Sequence, residues 1–137
     1  MMPFVENALT ALPVLVLHFA VANLVFVAGV GLYILVTPYH DLRLIREGNA
    51  AAGTALAGAL IALALPVATA LRYALSVQDI IVWGVIAVVL QLAVFAVVSV
   101  MLRGVGRAIE AGEVASALKL AASQVSVGLI NAAAIGG

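Results

Sequence analysis

The chain has 137 residues, of which 66% are hydrophobic and 9% charged, and its mean hydropathy is +1.31; soluble domains carry roughly a quarter charged residues. That composition excludes a soluble globular enzyme. Six basic residues balance six acidic ones, so no electropositive surface is left for nucleic acid, and the lack of cysteine rules out disulfides, thiolate metal sites and thiol catalysis.

A bilayer core takes about 20 apolar residues per helix, so four spans would fill most of the chain, and residues 1–137 read as one membrane domain. The start, Met1-Met2-Pro3-Phe4-Val5-Glu6, lacks a positive n-region, and the apolar run after it outlasts a signal core, so it is expected to be retained. The first span is predicted over 13–36, with Thr10 and Pro13 placed to open it and Thr37-Pro38 to close it. The connector Tyr39 to Asn49 is too polar to span; Leu42, Leu44 and Ile45 can rest on the interface while its charges face water, and Gly48-Asn49 reads as a turn.

The second span, 51–71, is rich in Ala and Gly and contains Pro66. At about 100° per residue, Thr54, Gly58, Ile61, Leu65, Thr69 and Arg72 share a stripe, with Ala51 and Ala62 beside it, and that face is expected to meet protein. Ser76 to Asp79 has capping-box spacing before a third span at 80–102. A second charged connector, Arg103 to Glu113, leads to a fourth span at 114–135, the most polar of the set, with Gln124, Gly128 and Asn131 on one face.

A shift of 64 residues superposes Ile45, Gly48, Ala51, Leu56 and Ala70 on Ile109, Gly112, Ala115, Leu120 and Ala134. The expected fold is therefore all-α: a polytopic bundle of four transmembrane helices built as two parallel two-helix repeats, 13–72 and 77–135. Basic residues concentrate in the first and third connectors (Arg43, Arg46, Arg103, Arg107 and nearby Lys119), which places those connectors in the cytoplasm and both termini in the periplasm of an inner membrane. Tyr33 and Tyr39 suit the cytoplasmic aromatic belt, and Phe4, Tyr73 and Trp83 the outer one.

Few residues could carry chemistry. His18 is the one titratable group inside the first span, on a stripe with Ala22, Val25, Gly29 and Tyr33; a neutral packing imidazole is the simpler reading, because no carboxylate lies at its depth. Pro66 frees a backbone carbonyl near mid-span, which either kinks the helix or opens it as in transporters, and Thr69 can bond back to the backbone. Gln91 shares a stripe with Gly84, Val88, Phe95 and Ser99, and Gln124 and Asn131 are its expected partners. These polar groups read equally as an interhelical clamp or as the lining of a polar path to which Thr54, Thr69, Ser123 and Ser126 could add. Asp41, Glu47, Glu110 and Glu113 are expected to be solvated or paired with arginine. No catalytic set, cofactor motif or metal-ligand spacing is present, so no enzyme activity, cofactor or metal is expected.

Thr37-Pro38, Leu44-Ile45, Gly48-Asn49, Ala51-Ala52, Gly58, Pro66, Ser76, Asp79, Trp83-Gly84, Ala87, Gln91-Leu92, Phe95, Gly128 and Asn131-Ala132-Ala133 together resemble the YjfL-like family of uncharacterised bacterial inner-membrane proteins, across nearly the whole chain. The resemblance implies two copies of a two-helix domain and, through the proteins encoded near relatives (phage-shock-type envelope-stress proteins and ATP-grasp ligases), a part in membrane integrity. It supplies no catalytic residue. Asn49, Pro66, Trp83, Gln91 and Asn131 are its landmarks least explained by bulk hydrophobicity.

Two functions follow as expectations. The first is a small homo-oligomeric channel or transporter-like protein with a polar intramembrane path. The second is a non-transporting module that meets an envelope-stress partner through a cytoplasmic surface formed by Arg43, Arg46, Asn49, Arg103 and Arg107.

Overall fold

A computed structural model describes residues 2–136, and all the regular structure in them is helical: α1 Met2–Val36, α2 Asp41–Arg46, α3 Ala50–Tyr73, α4 Val77–Met101, α5 Val105–Glu110 and α6 Val114–Gly136. The four long helices are long and apolar enough to cross a membrane, and the short α2 and α5 occupy the charged connectors. The predicted spans 51–71, 80–102 and 114–135 fall on α3, α4 and α6 to within a few residues at each end, and the predicted end of the first span coincides with that of α1. The start of α1 does not: it lies at Met2, not at Pro13. Ala8, Leu9, Ala11 and Leu12 favour helix, Pro13 removes only one donor, and Thr10 turns its hydroxyl back to the Glu6 carbonyl at 2.8 Å instead of capping.

The connectors are built alike. Gly48 and Gly112 both adopt positive φ, +85° and +84°, the left-handed conformation that lets a helix end and the chain turn back. Their N–H groups donate to the carbonyls of Ile45 and Ile109, and the next N–H groups, of Asn49 and Glu113, donate to those of Leu44 and Ala108. At the opposite end Ser76 caps α4 by accepting from the Asp79 N–H at 3.2 Å, while Asp79 accepts from the Leu75 N–H at 2.9 Å.

The centre of the bundle is the α3–α6 pair. A Cβ placed on Gly58 would lie 2.6 Å from the Ala121 Cα, and one on Gly128 would lie 2.9 Å from the Ala62 Cα. The backbones therefore touch, which supplies dispersion energy where lipid offers no hydrophobic driving force. These small-residue faces meet inside a single chain. The numbers rise together along both helices (58 with 121, 62 with 128), so α3 and α6 run parallel. α1 and α4 do the same, with Val25 against Gly84 and Val88 against Gly29. α4 packs on α1, α3 and α6, and α1 leans on α3 and α4.

Two expectations about facing are corrected. The buried side of α3 is Ala51, Ala55, Gly58, Ala59, Ala62, Pro66 and Ala70, whereas Ile61 and Arg72 are exposed. The stripe is rotated because the smallest side chains, not the polar ones, permit the α6 contact. Tyr33 and Tyr39 are buried, only 1% and 4% exposed, and do not form an aromatic belt. Phe4, Tyr73 and Trp83 are exposed at the other end.

Candidate functional site

Three helices bring uncharged polar groups together at mid-depth. Gln91 of α4 lies about 15 Å from the Met101 end, at about 1.5 Å per residue. Its Nε2 donates to the backbone carbonyl of Gln124 on α6 at 3.1 Å, and Asn131 donates from Nδ2 to the Ala87 carbonyl at 3.4 Å. These bonds join α4 to α6, but they leave Gln91 Oε1 and Gln124 Nε2 without partners in the protein. A buried unpaired amide group costs about 1–3 kcal/mol. Tyr33 of α1 packs edge-on against Phe95, with ring centroids 4.8 Å apart. Its hydroxyl lies among Gln124, Tyr39, Thr37 and Asp41 and makes no hydrogen bond.

The polar run continues into the first connector. Thr37 closes α1 by donating its hydroxyl to the Tyr33 carbonyl at 2.6 Å, and Pro38 prevents the helix from continuing. The reversal folds Tyr39 and Asp41 inward, and Gly106 of α5 packs over the Tyr39 ring. Asp41 is fully buried, and both its carboxylate oxygens are unpartnered. This overturns the expectation of a solvated or arginine-paired Asp41. Burial pushes its carboxyl from 3.8 up to about 6. Burial, helped by Tyr33 and Asp41, likewise drives the Tyr39 hydroxyl well above its ordinary range.

The signal in the sequence for this cluster is four polar residues, Tyr33, Thr37, Tyr39 and Asp41, flanking a helix-ending proline. A chain reversal there converges side chains that a straight helix would spread.

Most of the other singled-out residues have partners of their own or are exposed. Thr54 and Thr69 are half-buried and donate to their own helix, at the carbonyls of Ala50 (2.8 Å) and Leu65 (3.1 Å). α3 runs unbroken through Pro66. The Ala62 carbonyl, which Pro66 deprives of its helical donor, lies against Gly128, where a Cα–H can approach it. His18 is half-buried. Arg43, Arg46, Arg103 and Arg107 are exposed, and Arg43 makes a loose pair with Glu47 at 3.9 Å. Asn49 has two roles: it caps α3 by accepting from the Ala52 N–H at 3.0 Å, and its Nδ2 donates to the Ile109 carbonyl at 2.8 Å.

Comparison with known proteins agrees with this architecture. The family described as Domain of Unknown Function (DUF350) matches over residues 7–135. UPF0719 inner membrane protein YjfL of Escherichia coli (strain K12) and its counterpart in Escherichia coli O157:H7 are each 32% identical over 102 residues, covering 74% of this chain and 77% of theirs. No solved structure matches. The family match over nearly the whole chain, together with four helices fit to cross a bilayer, identifies the chain as a multi-pass inner-membrane protein that belongs to the DUF350 family.

Proposed function

We propose that the chain is a transporter-like or channel-forming protein whose polar intramembrane path starts at Asp41 and Tyr39 and runs past Tyr33 to Gln91 and Gln124. The observation that carries this reading is the run of buried polar atoms without protein partners on α1, the first connector, α4 and α6. Unpaired polar atoms are expensive in a bilayer, and a solute that binds them offsets that cost. Beyond Gln91 the α1–α4 contact is closed by Val88 on Gly29 and Val25 on Gly84. The seam thus faces one side of the membrane, as alternating access requires, and basic-residue asymmetry assigns that side to the cytoplasm. The proposed lining leaves out Thr54 and Thr69, whose hydroxyls bond to carbonyls of their own helix, and Pro66, which is buried within an unbroken α3.

The test is flux in proteoliposomes containing the wild type or the double variant Gln91→Leu, Gln124→Leu. The variant is expected to retain helical content and elution volume and to lose at least about tenfold in cation-driven dye response, the size of change that loss of one polar contact in lipid produces. Unchanged flux in a folded variant removes the reading.

A second reading has its own observation. Asn49 ties the two connectors together, both connectors expose arginines, Arg43, Arg46, Arg103 and Arg107, and a cleft of about 460 Å³ is edged by Arg103, Glu113, Ser116 and Lys119. Exposed arginines suit an acidic protein partner. Reversing the four arginine charges is expected to abolish partner recovery in a pull-down, and recovery of the same partners removes this reading.

A further inference from the structure

Asp41 is the one fully buried carboxylate among the described residues, and no cationic side chain among them pairs with it. A carboxylate out of water is either neutral or held by a cation. The atoms around it favour the second. The hydroxyls of Tyr33 and Tyr39 carry no hydrogen bond. Thr37 gives its proton to the Tyr33 carbonyl, so its oxygen presents lone pairs. Oxygen donors are what hard cations take, and a single negative charge matches a single positive one. A divalent ion calls for more carboxylates, and no group of three His, Asp or Glu side chains assembles among the described residues. A cleft of about 350 Å³, bordered by Thr37, Pro38, Tyr39, His40, Asp41 and Arg43, leads to the cluster from outside.

We infer that Asp41, Tyr33, Tyr39 and Thr37 form a binding site for a monovalent alkali cation, reached from the connector end of the bundle. Of the ionisable groups, Tyr33 and Tyr39 face Asp41. His40, Arg43 and Arg46 beside it, Arg107 and Glu110 of α5, and Lys119 of α6 are exposed. The ionisable groups of α3 and α4 (Arg72, Tyr73 and Asp79) lie at the opposite end. As a cargo site the inference rests on the transport reading, whereas as a binding site it is measured apart from it.

The experiment is binding of radioactive sodium or rubidium ions to the purified chain in nanodiscs at pH 8, with thermal unfolding in sodium, potassium or N-methylglucamine chloride at equal ionic strength. Saturable binding and stabilisation by one alkali ion over N-methylglucamine are expected. Asp41→Asn is expected to abolish both, and Tyr39→Phe to weaken binding about tenfold, as loss of one ligand oxygen would.

No saturable binding by the wild type, or equal binding by a folded Asp41→Asn variant, overturns the site. So does stability that follows pH alone, which marks Asp41 as a neutral acid. If Asp41→Asn does not fold, the wild-type isotope result and Tyr39→Phe still decide. Binding without flux upholds the site and removes the transport reading. Flux without binding overturns the site and leaves transport standing.

Discussion

The side-chain amide of Asn49 donates to the Ile109 carbonyl at 2.8 Å and so ties together two connectors 60 residues apart in sequence. The same side chain accepts from Ala52 with its oxygen, so one residue starts α3 and fixes its distance from α5.

The two roles of Asn49 separate by substitution. Asn49→Ala loses the cap and the tie and is expected to cost about 2 kcal/mol, roughly 1 for each. Asn49→Ser keeps a cap but is too short to reach Ile109, and about half of that loss is expected. Thermal or denaturant unfolding in detergent checks the order; equal losses for the two variants would show that the tie carries no energy.

The α3–α6 contact makes glycine irreplaceable at two positions. Alanine in a helix interior is favoured over glycine by about 1 kcal/mol, but a Cβ at Gly58 or Gly128 meets backbone, and forced overpacking costs about 1–3 kcal/mol. Gly58→Ala and Gly128→Ala are therefore expected to destabilise. Gly53→Ala, with nothing within 4 Å of its Cβ, is expected to stabilise by up to about 1 kcal/mol. Matching signs in an unfolding series would count against the close approach.

Asp41 sets a pH dependence with a definite sign. In buffers free of alkali cations its folded carboxyl titrates at about 6 against an ordinary 3.8, so between those values the folded chain holds a proton that the unfolded chain has released. Stability is then highest below about pH 4 and falls as pH rises through 6. Unfolding temperatures from pH 4 to pH 8 are expected to fall for the wild type and to flatten in Asp41→Asn. Parallel profiles would show that Asp41 is not the group responsible.

Orientation is open to direct measurement, because the natural chain contains no cysteine. Glu47→Cys is expected to react with an impermeant thiol reagent only after cells are opened, and Gln78→Cys in intact cells. The reverse pattern would invert the topology.

The spans were legible because lipid imposes a length and charged connectors interrupt it; Gly48, Asn49 and Gly112 marked the turns by their residue types alone. The faces of α4 and α6 were legible too, since Gln91 and Gln124 recur with buried small and apolar residues at helical spacing. What stayed hidden depended on chain reversal. Asp41 looks like a solvated connector charge until Pro38 turns the chain and brings it under Tyr33. The extent of α1 was hidden for a different reason: Pro13 carries the same helix-opening signal whether it begins a helix or sits tolerated within one.

A helix pair in backbone contact has no side-chain rotamers to spend on motion. The Gly58–Ala121 and Ala62–Gly128 contacts therefore make α3 and α6 a stator, and Asn49 clamps its connector end to α5. On the transport reading proposed above, α1 is then the long helix left to shift, because it meets α4 and α3 through side chains, Val25, Val88 and Tyr33 among them, and not through backbone.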